Sequence, residues 1–126
     1  MPARILIVDD HEVVREGVKT LITRSRPDWN ICGEASDGEQ ALHAVKTLKP
    51  EVVILDVTMP KMSGFELFTY LRGVHLVDAS TVVAMSAGGS PMDVQLMLEL
   101  GAHDFIPKGP ELRARVSRVV SMLAKT

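Results

Sequence analysis

The chain has one cysteine, Cys32, so no intramolecular disulfide can staple it and the secreted disulfide-scaffold class is excluded. It has no apolar run approaching the ~20 residues of a membrane span. The opening Met1-Pro2-Ala3-Arg4 lacks the pattern of a secretory signal peptide. Neither charge sign dominates: fourteen basic and sixteen acidic residues leave a net charge of −2, too balanced for a chain that coats nucleic acid. Internal repeats, low-complexity tracts and linkers are also missing. What is present is ordinary for one globular domain: 126 residues, 46% hydrophobic and 24% charged. A chain of this size buries roughly two-thirds of its unfolded surface and needs no staple. The expectation is a single cytoplasmic domain spanning 1–126.

Short β-branched runs alternate with helical patterns along the whole chain. Ile5-Leu6-Ile7-Val8, Val52-Val53-Ile54-Leu55 and Thr81-Val82-Val83-Ala84-Met85 read as strands buried on both faces of a parallel sheet. A weaker strand is predicted around Trp29 to Ala35, with Ile31 and Gly33 alternating with polar neighbours, and a short one over His103–Ile106. Between them, apolar stripes predict five helices. These are Val14, Val18, Leu21 and Ile22; Ala41, Leu42, Val45 and Leu48; Phe65, Phe68 and Leu71; Met92, Leu96, Met97 and Leu100; and Leu112, Val116, Val119, Val120 and Leu123. Pro27, Pro50 and Gly101 end three of them, and Met59 to Gly64 reads as a loop. The predicted fold is α/β, a single (βα)₅ doubly wound parallel sheet.

In open α/β sheets, ligands bind beyond the carboxyl ends of the strands. The residues there are Asp9 and Asp10 after the first strand, Asp56 after the third, Ser86 after the fourth and Lys108 after the fifth. Three carboxylates on one rim repel one another unless positive charge intervenes. Lys108 supplies a point cation, and a hard divalent ion such as Mg²⁺ suits carboxylates, water and phosphate oxygens. The Ser86 hydroxyl offers a hydrogen bond to a phosphoryl oxygen. Asp56 is the candidate nucleophile, because aspartate forms acyl-phosphate intermediates.

Blander readings exist for each residue. Asp9-Asp10 alone could cap a helix, Ser86 could satisfy nearby backbone, Phe105 could simply pack, and Lys108 could be an ordinary surface lysine. Their joint placement at strand ends is what lifts the reading above these. His11, His43, His75 and His103 form no zinc pattern with Cys32 and read as surface or packing residues. Gly88-Gly89-Ser90 is too short for a dinucleotide fingerprint. Arg113, Arg115 and Arg118 read as a solvated face or a partner contact.

The ordered set Ile5-Leu6-Ile7-Val8-Asp9-Asp10, Val53-Ile54-Leu55-Asp56-Val57-Thr58-Met59-Pro60, Gly64, Ser86-Ala87, Gly101-Ala102 and Phe105-Ile106-Pro107-Lys108 resembles the receiver domain of a bacterial two-component response regulator over essentially the whole chain. The start, Asp9-Asp10-His11-Glu12-Val13-Val14-Arg15-Glu16-Gly17, is more like receivers attached to LuxR-type helix-turn-helix domains (the LuxR/NarL class) than like chemotaxis receivers. Two features depart from the family pattern: Gly109 separates Lys108 from Pro110, and of Thr58 and Gly88, the positions two residues beyond Asp56 and Ser86 that flank the phosphate, Gly88 carries no side chain. The resemblance implies a flavodoxin-like sheet of order 2-1-3-4-5. It implies that Asp56 accepts a phosphoryl group from a sensor histidine kinase. Mg²⁺ would be bound directly by Asp10 and Asp56, through water by Asp9, and by the backbone carbonyl of Thr58. Lys108 would contact the phosphoryl group, and Ser86 with Phe105 would form a switch pair. The switch would remodel the face of the fourth helix, fifth strand and fifth helix toward an effector domain or partner protein, with a homodimer compatible. The domain would not be an enzyme beyond its own phosphorylation and dephosphorylation, and would bind neither membrane nor nucleic acid itself. The other readings are a receiver-fold interaction module that works without phosphorylation and, with Thr58 in place of its second aspartate, an aspartate-nucleophile phosphatase.

Overall fold

The computed structural model describes residues 3–57, 59, 62–86, 91–107, 114, 116 and 118, with 91 and 93 described by backbone alone. Strands and helices alternate in the order β1 (Arg4–Val8), α1 (Glu12–Ser25), β2 (Asn30–Ala35), α2 (Gly38–Leu48), β3 (Val52–Asp56), α3 (Gly64–Gly73), β4 (Thr81–Ser86), α4 (Pro91–Leu100) and β5 (Asp104–Pro107). All strand pairings are parallel, in the order β2-β1-β3-β4-β5. The expected sheet is therefore present. Of the predicted fifth helix, Ala114, Val116 and Arg118 are helical, while Leu112, Val119, Val120 and Leu123 lie outside the described residues.

β1, β3 and β4 are apolar over most of their length because each covers two cores. In one core Leu6, Val8, Val53, Leu55, Val82, Ala84 and Phe105 meet Ala41 and Val45 of α2 and Leu67, Phe68 and Leu71 of α3. In the other, Ile5, Ile7, Val52, Ile54, Val83, Met85 and Ile106 meet Val18 and Ile22 of α1, together with Trp29 and Val116. Odd and even residues of one strand thus serve opposite faces, as the pleat requires.

Local chemistry sets the helix ends. Asp37 caps α2 through its carboxylate, which accepts the Gln40 N–H at 2.8 Å, and Ser63 caps α3 by accepting the Glu66 N–H at 3.1 Å. Beyond α2 the chain turns through Lys49 at φ 48°, and the Arg4 guanidinium donates to the Leu48 and Lys49 carbonyls there.

Four expectations need correction. Trp29 lies before β2 rather than in it; it is buried in the α1-side core with the Arg26 guanidinium 5.3 Å from its ring centroid. The simple alternation expected of β2 is broken, because its register against β1 shifts between Ile5↔Ile31 and Leu6↔Gly33, leaving Cys32 as the extra residue of a bulge. On α4 the buried stripe is not Met92, Leu96, Met97 and Leu100. Met97 is fully buried with Val94 and Leu100 partly packed beside it, whereas Met92 is 71% and Leu96 40% exposed. The helix is apolar nearly all round, so periodicity alone could not choose which face packs. The last strand runs one residue later than expected, from Asp104 to Pro107, with the His103 N–H donating to the Val82 carbonyl at 2.7 Å.

Phe68, on α3, is among the largest fully buried side chains. Phe68→Ala should lower the free energy of urea unfolding by about 3–5 kcal/mol, the range for emptying such a core position.

Candidate functional site

The two central strands carry the candidate acids to one rim. β1 delivers Asp9 and Asp10 immediately past Val8, and Asp56 is the last residue of β3, hydrogen-bonded in register against β4 opposite Met85. Pairing continues past the strand ends: the Asp9 N–H donates to Ala35 O at 3.0 Å and the Val57 N–H to Met85 O at 2.8 Å. The backbone beneath the carboxylates is thereby held on both sides. Asp9 and Asp56 are 0% exposed and Ser86, the last residue of β4, is 2% exposed. The Asp10 side chain is 22% exposed.

Ligand atoms of Asp9, Asp10, Asp56 and His11 all lie within 4.8 Å of one another. Asp9 Oδ1 accepts the backbone N–H of His11 at 2.8 Å, an Asx-type turn that folds the chain into α1. The His11 ring returns over the same acids, with Nδ1 3.3 Å from Asp9 Oδ1 and 3.1 Å from Asp10 Oδ1. Capping, the bland reading of Asp9-Asp10, is thus partly right in position and wrong in residue: His11 is the residue at the N-cap of α1 and its side chain makes no capping bond.

Gly64 explains how α3 approaches so closely. A Cβ there would stand 2.0 Å from the Asp56 carbonyl oxygen and 2.7 Å from Val57 Cα, so a larger residue would have to lever the loop away from the candidate nucleophile. Its own N–H donates to Val57 O at 2.8 Å.

Behind the acids stands a charged brace. Arg15 donates to the Asp9 carbonyl oxygen at 2.6 Å and to Glu34 Oε1 at 3.1 Å, while Lys19 bridges Glu34 at 2.9 Å and Glu16 at 2.8 Å. The Lys19 hydrogen bond, with Arg15 adding to it, holds the Glu34 carboxyl below its ordinary value; Glu16 and Glu34 in turn raise the Lys19 ammonium. Arg15, Glu16 and Glu34 line a polar cleft of about 170 Å³ with Glu12, Ser36 and Gln40.

Of the predicted site residues, the structure brings together Asp9, Asp10 and Asp56, with Ser86 at the next strand end. Phe105 sits in β5 opposite Ala84, 8% exposed within the α2–α3 core. Thr58, Gly88, Lys108, Gly109 and Pro110 lie outside the described residues, as do Arg113 and Arg115; Arg118 is exposed. His11 was expected to be a surface or packing residue, and its ring proves to face the acids; its position directly after an Asp-Asp pair was the available signal. The Arg15–Glu34 contact joins residues 19 apart and carries no signature of its own. His75 pairs with Asp78 at 2.8 Å and is exposed.

Three carboxylates converging this closely, with the His11 ring beside them and the buried Asp10 Oδ1 accepting no hydrogen bond, fit a divalent cation. The family model for the response regulator receiver domain matches residues 5–119. The chain belongs to the receiver family. It is 39% identical over 110 residues to the nitrate/nitrite response regulator NarL of Escherichia coli K12, an alignment covering 87% of this chain and 50% of that protein. The chain thus spans about half the length of that relative. Among solved structures, the signal receiver domain of a response regulator designated NarL from Mycobacterium tuberculosis superposes with a TM-score of 0.84 at 33% identity, covering 98% of this chain and 97% of that one. A CheX–CheY–BeF₃⁻–Mg²⁺ complex from Borrelia burgdorferi gives 0.85 at 30% identity, covering 98% and 90%. The receiver is of the NarL/LuxR-like kind, and receivers of this family are signalling modules in two-component systems, phosphorylated on aspartate and typically Mg²⁺-binding. No helix among the described residues is long and apolar enough to cross a membrane.

Two outcomes are expected. Asp10→Asn removes one of three crowded negative charges and should raise unfolding stability in EDTA by on the order of 1 kcal/mol, an advantage that added Mg²⁺ erases. Glu34, with its carboxyl held low in the folded protein, contributes stability that is present above its ordinary value of 4.5 and lost as pH falls below it. The deficit of Glu34→Gln in urea unfolding, about 1 kcal/mol or less for so accessible a pair, should therefore be seen near neutrality and vanish in acid.

Proposed function

We propose that residues 1–126 form one receiver unit that is switched by phosphorylation of Asp56. The observation that carries this is the burial of Asp56 at the end of β3 within 4.8 Å of the Asp9, Asp10 and His11 ligand atoms. A buried carboxylate gathered with other acids is costly as mere structure and useful as a phosphoryl-transfer centre. One Asp56 oxygen attacks the phosphorus of a sensor kinase's phosphohistidine; the P–N bond breaks, and the imidazole leaves with its electron pair and takes up a proton. Asp10 and Asp56 would hold Mg²⁺ directly, Asp9 through water, and the Thr58 backbone carbonyl would complete the protein's ligands. When bound, the ion neutralises the acids and the charge on the phosphoryl oxygens.

Lys108 contacts the transferred group, and the Ser86 hydroxyl, at the adjacent strand end, donates a hydrogen bond to it. Phe105 then repacks behind Ser86. Its burial in the core that also holds Met97 and Ala102 supports a link from the site to α4 and β5. The exposed Met92 and Leu96 on α4 give that surface apolar contacts for an effector domain, a partner protein or a second copy of the chain. Catalysis is limited to the domain's own phosphorylation and dephosphorylation, and any binding to DNA belongs to an effector rather than to this domain.

Intact-mass spectrometry after incubation with Mg²⁺ and a small phosphodonor tests the proposal. One added phosphoryl group is expected, absent in Asp56→Asn and absent without Mg²⁺. No gain by folded, Mg²⁺-binding protein would overturn it in favour of a phosphorylation-independent interaction module.

A further inference from the structure

Resting on that reading of the acid site, we infer that His11 Nδ1 is an additional metal ligand, and that it makes this centre favour a late first-row divalent ion over Mg²⁺. Nδ1 lies 3.3 Å from Asp9 Oδ1 and 3.1 Å from Asp10 Oδ1, and His11 belongs to the group that offers one ligand atom per residue within 4.8 Å of one another. A cation among the carboxylates would therefore meet a nitrogen as well as oxygens.

The placement of the ring follows from backbone geometry. The Asp9 turn captures the His11 N–H, α1 begins at the next residue, and the His11 side chain, which makes no capping bond, folds back over the two aspartates. The side chain is 63% exposed, so solvent can reach the ring. A neutral imidazole carrying its hydrogen on Nε2 presents the Nδ1 lone pair to a metal. Nitrogen donors change selectivity. Imidazole suits Zn²⁺, Ni²⁺, Cu²⁺ and their neighbours, whereas Mg²⁺ takes oxygen ligands and keeps its waters. A mixed set of one nitrogen and several carboxylates thus gains for Co²⁺ or Zn²⁺ what it does not gain for Mg²⁺. His11 is in this sense a specificity-determining residue for the ion.

Isothermal titration of Mg²⁺ and of Co²⁺ into the wild-type chain, His11→Phe and Asp10→Asn tests this, with the visible absorption of bound Co²⁺ as a readout of nitrogen ligation. His11→Phe keeps a planar ring and the backbone N–H. His11→Gln serves as a second variant, and far-UV circular dichroism checks the fold of each. Loss of a residue that merely supports a metal ligand costs about 10–100-fold in affinity, so loss of a ligand should cost at least the lower figure. Co²⁺ is expected to bind the wild type more tightly than Mg²⁺. In both His11 variants its affinity should fall about tenfold or more with a changed absorption band, while Mg²⁺ affinity holds. An equal change for both ions, or an unchanged Co²⁺ spectrum and affinity, overturns the inference and leaves the acid site standing if Asp10→Asn still weakens Mg²⁺. If Asp10→Asn weakens neither ion, the inference and the reading of the acid site fall together.

Discussion

Crowding of like charge is the constraint on which this molecule is organised. Asp9 and Asp56 are removed from water, and Asp10 is mostly so, with ligand atoms inside a 4.8 Å circle. Carboxylates so placed are expensive to desolvate and repel one another. Only a stiff support can keep them there, and the two central strands of a five-stranded sheet are the stiffest available. Each is paired on both edges, buried on both faces and continued by hydrogen bonds past its own end. The charged brace behind Asp9 and the close passage of Gly64 by Asp56 finish the same task from either side.

That organisation explains which parts of the molecule could be read from the chain alone. β1, β3 and β4 are legible because burial on both faces demands unbroken apolar runs, and the acids are legible because each run stops at one. The order of strands is not contained in those runs and came through family resemblance. β2 and α4 were misread for related reasons. β2 is an outer strand with a bulge that disrupts its alternation, and α4 is apolar on faces that never meet the core. His43 and His75 are plain surface residues, whereas His11, though exposed, turns its ring toward the acids. The difference lies in the turn at Asp9, a feature of three-dimensional geometry rather than of histidine spacing. The Arg15–Glu34 pair is similarly invisible until α1 is laid across β2.

Charge also divides the molecule into two regimes. On the rim the acids are drawn together in a small, largely buried space. A few residues away, Arg15, Lys19, Glu16 and Glu34 are matched within themselves and accessible, so they contribute modestly to stability and chiefly fix position. The Asp9 carbonyl, taken up by Arg15, is where the two regimes touch.

The bulge at Cys32 matters for life at high concentration. β2 stands at the edge of the sheet, where unpaired backbone groups invite a strand from another molecule. An extra residue in mid-strand throws the hydrogen-bonding pattern out of step, and the Glu34 carboxylate farther along binds its own cations at that border. An incoming strand would find neither a continuous ladder nor a neutral surface. The outermost strand of the sheet is in this way protected against edge-to-edge aggregation by the same irregularity that hid it in the sequence.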